Sequence, residues 1–173
     1  MAKNEYFEEI NVNIIESSDT YAKIVAEPFD RGYGVTIGSA LRRTLLTSLP
    51  GAAVTSMRID GITHEFTTIK GVAEDVSDII LNLKELRFST IESGPELVSL
   101  QLSGPCDFTG ADINNKLDEF TVLNPNHHIA TITEKINLSL DLRVCRGIGY
   151  SPASMNKRKD DTLDTIQIDA IFN

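Results

Sequence analysis

The 173-residue sequence is poor in the residues that most often announce chemistry or location. It holds two cysteines and three histidines. Cys106 and Cys145 stand far apart with no companion at metal-ligand spacing, so buried reduced thiols are expected rather than a disulfide or a zinc site. His64 sits in Thr63-His64-Glu65-Phe66 and is expected on a strand edge. The pair His127-His128 is expected in the loop after Pro125. Positive charge is scarce too: 16 Lys and Arg against 25 Asp and Glu leave a net charge of −9. Proteins that grip duplex DNA neutralise phosphates with clustered Lys and Arg, so no strong direct DNA binding is expected of this segment. No apolar run reaches the roughly 18 residues of a membrane span, and the opening MAKNEYFEEI has no apolar signal core. A cytoplasmic chain without a membrane partner is the expectation. Internal repeats and low-complexity tracts are also absent.

Catalytic motifs are missing in the same way. Gly32, Gly34 and Gly38 do not have dinucleotide-binding spacing, and no Lys-Ser or Lys-Thr follows them to complete a phosphate loop. They read instead as hinge and close-packing positions. A nucleophile elbow of the G-x-S-x-G kind does not occur. The tightest carboxylate group, Asp160, Asp161 and Asp164, belongs to the mixed-charge stretch beginning Asn156-Lys157-Arg158-Lys159, which reads as a solvated loop rather than a two-metal centre. No catalytic residue, metal or cofactor is therefore expected on this chain, and function should reside in surfaces.

What the sequence does contain is ordinary globular material. Hydrophobic residues make up 41% and charged residues 24%, and the length suits one domain or two small ones. The stretch from Arg31 to Gly51 organises the rest. Ile37, Leu41, Leu45 and Leu49 recur every fourth residue, which predicts a helix of about 12–14 residues with Thr36 as N-cap and Pro50-Gly51 as the stop. At about 100° per residue, Ser39, Arg43 and Leu46 form a second face roughly opposite the Leu41 stripe. A leucine beside an arginine suits a partner surface, since it sets an apolar anchor next to a planar donor. Gly38, Ser39 and Ala40 are small enough to let another backbone approach.

Around that helix the pattern predicts an α+β protein with antiparallel sheets. Residues 8–26 read as a hairpin turning at Ser17-Ser18-Asp19. Val54–Ile59 and Ile62–Thr67 read as strands joined by Asp60-Gly61. Gly71–Lys84 reads as a second helix, with Val72, Val76, Ile79, Ile80 and Leu83 inward and Glu74 and Asp75 at its positive end. The alternation from Ile136 to Val144 is the clearest strand, joined by one at Val98–Leu102 and a last short one at Ile166–Ala170.

Two long segments also carry a resemblance. Glu27-Pro28-Phe29-Asp30-Arg31-Gly32-Tyr33-Gly34 with Thr36-Ile37-Gly38-Ser39-Ala40-Leu41-Arg42-Arg43-Thr44-Leu45-Leu46 resembles the signature of the bacterial RNA polymerase alpha subunit. Gly71-Val72, Glu74-Asp75-Val76, Asn82-Leu83-Lys84, the Asn124-Pro125…His128-Ile129-Ala130-Thr131 segment, Arg146-Gly147-Ile148-Gly149-Tyr150 and Asp169-Ala170-Ile171-Phe172 extend it along the chain. The resemblance implies a helix on an antiparallel sheet as the first part of a dimerisation domain (1–49), with an inserted β-rich α+β domain (50–170). Residues 171–173 would begin the return to the dimerisation domain, whose remainder is not in this sequence.

The resemblance further implies a non-catalytic scaffold of DNA-directed RNA polymerase, a nucleotidyltransferase. Such a scaffold dimerises with a second alpha subunit and recruits the beta and beta-prime subunits. Arg43, Leu46 and Ser39 are then expected at the beta interface. Lys84, Ile166 and Ile168 are further candidate contacts with beta or beta-prime, and Ile37, Leu41, Leu45 and Leu49 form the dimerisation helix. The 157–164 loop is a candidate contact for transcription activators. Rival readings are an interaction module outside any polymerase, a small enzyme using His64 or His127, and a nucleic-acid binder using Arg42, Arg43 and Lys157–Lys159.

Overall fold

The computed structural model describes residues 9–18, 20–90 and 95–172. The expected turn residue Asp19, the first eight residues and Asn173 lie outside them. The chain divides into two compact units, Met1–Leu45 and Leu46–Asn173.

In the first unit, β1 (Asn11–Ser17) and β2 (Ala22–Glu27) form an antiparallel hairpin, with a bulge between Ile14 and Glu16. The hairpin is closed by Ser18 N–H donating to Tyr21 O at 2.7 Å. Helix α1 follows over Tyr33–Ser48, 16 residues. It starts earlier than the sequence pattern suggests. Gly32 takes a left-handed φ of +95° just ahead of Tyr33, so the turn into the helix is made there and Thr36 lies inside the first turns instead of capping them. None of the helix residues is buried. Among the described residues of this unit only Ala26, Phe29 and Ile37 are even half-buried.

The second unit holds the core. Its sheet runs β10 (Ile166–Gln167), β3 (Pro50–Ile59), β9 (Asn137–Ser151), β11 (Ala170–Phe172), and β5 (Glu96–Ser103) also pairs with β9. All these pairings are antiparallel. Strand β9 is the spine, 15 residues long and hydrogen-bonded to three other strands. Its alternation is the one visible in the sequence: Leu138, Leu140, Leu142 and Val144 are buried, and the intervening residues are not. They pack with Val54, Met57 and Ile59 of β3 and with Val98 and Leu100 of β5 in one hydrophobic cluster.

Helix α2 (Val76–Lys84) covers part of this core with Val76, Ile79 and Leu83. Its N-cap is Asp75, whose side chain accepts from the Asp78 N–H at 2.9 Å. The helix therefore begins five residues later than Gly71. Residues 62–67 form no strand, contrary to the alternation there. Asp60-Gly61 does turn, with Gly61 at φ +81°, but β3 finds its partner in the distant β9 and not in the segment after the turn. Two small ladders complete the unit. One pairs β4 (Phe88–Thr90) with β7 (Phe120–Val122); the other pairs β6 (Cys106–Thr109) with β8 (His128–Ile132). Short helices α3 (Gly110–Asn114) and α4 (Ala153–Asn156) sit between strands. The single last strand expected at 166–170 is two: β10 pairs with β3, and β11 pairs with β9.

Candidate interaction surfaces

Helix α1 presents a continuous apolar stripe. Leu41 and Leu45 are each 59% exposed and Ile37 is half-buried; Leu49, expected to end the stripe, lies just past the helix end at Ser48 and is 56% exposed. On its second face Ser39, Arg43 and Leu46 recur at i, i+4 and i+7, all exposed, with Leu46 at 61%. Thr44 turns its hydroxyl back onto Ala40 O at 3.1 Å, which spends its polar group inside the helix and leaves its methyl outward. A helix this apolar with no buried residue offers far more hydrophobic surface than an isolated surface helix normally shows.

The residues put forward as further contacts divide. Lys84, at the end of α2, donates from Nζ to Asp169 Oδ2 at 2.7 Å, and both side chains remain partly exposed. That hydrogen bond, with the lysine charge behind it, holds the Asp169 carboxyl below its ordinary value. Ile166 and Ile168 do not fit the role given them. They are 5% and 1% exposed and belong to the core cluster, so their side chains have no surface left for a partner. The physical reason is that β10 lies along β3, with Ile166 opposite Met57 and Ile168 N–H donating to Thr55 O at 2.9 Å.

The 157–164 loop is likewise more than a solvated charge run. The Asp161 side chain turns inward from it, 1% exposed, and forms an ion pair at 2.7 Å with Arg143 of β9, whose side chain is 13% exposed. Its Oδ2 also accepts the Arg158 N–H at 2.7 Å and the Gln167 Nε2 at 2.9 Å. Burial alone would raise the Asp161 carboxyl, but Arg143 and the Arg158 N–H outweigh it and hold the group below its ordinary value. Next to it, Arg58 donates twice to Asp141 Oδ2, at 3.0 and 2.7 Å, and lies 3.7 Å from Asp164. Asp141 is held low chiefly by the Ser99 hydroxyl at 2.6 Å, with Arg58 adding to it. Sequence reading missed this latch because acidic and basic residues in a loop look alike whether paired or hydrated.

The histidines take structural posts. His128 opens β8, not a loop, and its Nε2 lies 2.8 Å from Glu74 Oε1, while Glu74 Oε2 accepts the Thr131 N–H at 2.7 Å. Glu74 is thus the tie between the start of α2 and β8, and Asn82 Nδ2 donating to Ile129 O makes a second one. His127 Nε2 sits 3.0 Å from Asn82 O at the other end of the helix. His64 lies in the irregular segment after β3, where its Nδ1 is 3.0 Å from Thr67 Oγ1. Cys106 and Cys145 are free thiols, half-buried rather than fully buried. Among the described residues no three His, Cys, Asp or Glu side chains gather as a metal site, and no helix is long and apolar enough to cross a membrane.

The second unit is a β-rich body organised on one shared strand and tied by paired charges. In the sequence comparisons, residues 57–173 match the model of the RNA polymerase Rpb3/RpoA insert domain, and the chain belongs to that family. Within it, the similarity runs to bacterial alpha subunits. The chain is 50% identical over 165 residues to DNA-directed RNA polymerase subunit alpha of Chloroherpeton thalassium, covering 95% of this chain and 50% of the relative. It is 52% identical over 161 residues to that of Salinibacter ruber, with 93% and 49% covered. Against that of Limosilactobacillus reuteri the figures are 45% over 168 residues, with 96% and 53% covered. The chain spans about half the length of the curated relatives it matches.

Proposed function

We propose that this chain is a non-catalytic assembly part of a cytoplasmic DNA-directed RNA polymerase. It dimerises with a second alpha chain through Ile37, Leu41, Leu45 and Leu49, and it recruits the beta subunit through Ser39, Arg43 and Leu46. The observation that carries this reading is the uncovered α1 helix, apolar along one face and carrying the Arg43–Leu46 pair on another. Exposed apolar area of that kind is stabilised by burial at roughly 25 cal/mol per Å² when a partner covers it. Arginine is among the residues enriched at the energetic centres of interfaces, and Leu46 sets apolar surface beside it. Lys84 stands as a secondary contact for beta or beta-prime, its ammonium already oriented by Asp169. The exposed part of the 157–164 loop is the candidate site for an activator, with Asp161 as its anchor and not as its contact.

Light scattering on the purified chain, alone and mixed with the beta subunit, tests this. A stoichiometric complex that Arg43→Glu abolishes, with the circular dichroism spectrum unchanged, is the expected result. Normal complex formation by both Arg43→Glu and Leu46→Ala would refute the assignment of that face.

A further inference from the structure

A cavity of about 430 Å³ in the second unit opens where β9, α4 and β11 meet. Its size is within the range of small-molecule sites. The ionisable side chains lining it are Cys145, Tyr150 and two guanidiniums, Arg146 and Arg158, and no carboxylate lines it. That is an unusual place in a chain with 25 acidic residues against 16 basic ones. Lys157 and Lys159 flank Arg158 in sequence; of the two acids that follow, Asp161 is paired with Arg143 and the exposed Asp160 does not line the cavity. The walls supply apolar and aromatic surface: Met155 and Tyr150 are 76% and 62% exposed, and Phe172 closes the inner side. Close packing fixes that inner wall. A Cβ at Gly147 would run into the Phe172 ring, so only a bare glycine backbone fits against it.

We propose that this cavity binds a small phosphorylated nucleoside, with its phosphates on Arg146 and Arg158 and its base against the exposed Tyr150 ring. Guanidiniums recognise phosphate oxygens through two parallel N–H donors, and a base stacks on an aromatic face whatever its identity. Non-specific attraction does not account for such binding, because the net charge of −9 repels anions from the molecule as a whole. The site belongs to the chain's own second unit and is independent of the assembly role of α1.

The test is an NMR titration of the full 173-residue chain, following the backbone amides of Gly147 and Ile148, with ADP, adenosine and inorganic pyrophosphate as probes. Saturable shifts with ADP are expected, weaker by about tenfold or more in Arg146→Ala and in Arg158→Ala. Both side chains are exposed, and the Arg158 N–H that holds Asp161 is kept by any residue there, so the variants fold. Tyr150→Ser should weaken ADP while leaving pyrophosphate unchanged. Absence of shifts at millimolar ADP overturns the proposal, as does ADP binding that both arginine variants leave intact. Pyrophosphate binding as tightly as ADP, with Tyr150→Ser indifferent to both, overturns the nucleoside assignment.

Discussion

Removing the charge of Asp161 should destabilise the second unit far more than its loop position implies. Its carboxylate meets Arg143 at 2.7 Å and accepts from Arg158 N–H and Gln167. With 1% and 13% side-chain exposure, the pair is well removed from water. Breaking one partner of a buried pair costs about 3–5 kcal/mol, because the other charge is left uncompensated; exposed pairs contribute about 0–1 kcal/mol. Arg143 keeps a little solvent, so the lower end applies, about 3 kcal/mol for Asp161→Asn. Arg143→Met should cost a similar amount. The double variant should cost clearly less than the two together, since no lone charge remains, and a double-mutant cycle in urea reads that coupling. The pH dependence has a definite sign. The folded Asp161 carboxyl is held low, so its contribution is present above the unfolded value of about 3.9 and is lost as pH falls through the folded value. The gap between wild type and Asp161→Asn should therefore be widest above about pH 5 and close below about pH 4. Single-variant costs under about 0.5 kcal/mol, or a gap indifferent to pH, would refute the argument and return the loop to ordinary hydrated surface.

Three further outcomes follow from the packing. Leu142→Ala, at a fully buried position on the spine strand, should cost about 2–5 kcal/mol in urea unfolding. Gly147→Ala drives a methyl into the Phe172 ring and should lower stability by about 1–3 kcal/mol, with most of that recovered in Gly147→Ala/Phe172→Leu. Lys84→Ala breaks a half-exposed pair with Asp169, so thermal unfolding should register about 1 kcal/mol or less, whatever its effect on subunit binding.

These cases also show what the sequence can and cannot disclose. Strands β5 and β9 were legible because one face of each is buried, and burial writes a period of two into the residues; β3 is buried on both faces and showed only as a short apolar run. Residues 62–67 carry a similar alternation without being a strand, since pairing is decided by a partner about 80 positions away and not by the local turn. The start of α2 was misplaced for a related reason: Glu74 looks like a first-turn acid, but its carboxylate is committed to β8. Core membership of Ile166 and Ile168 followed from tertiary pairing alone. The α1 stripe, by contrast, was plain, because a four-residue leucine spacing needs no partner to be seen.

Strand β9 has a consequence in time as well as in space. Arg58 on β3 waits for Asp141, 83 positions further along. At a ribosomal pace of about 5–20 residues per second, that delay is roughly 4–17 s. Throughout it β3, rich in small and apolar residues from Pro50 to Ile59, exists as an unclaimed sheet edge in the growing chain. When β9 arrives, its ladders with β3 and β5 can close together, and the third follows once β11 is made, so the second unit should mature late and not by gradual accretion. A nascent chain stalled before residue 137 would carry most of the unit's buried apolar residues and none of the strand that organises them.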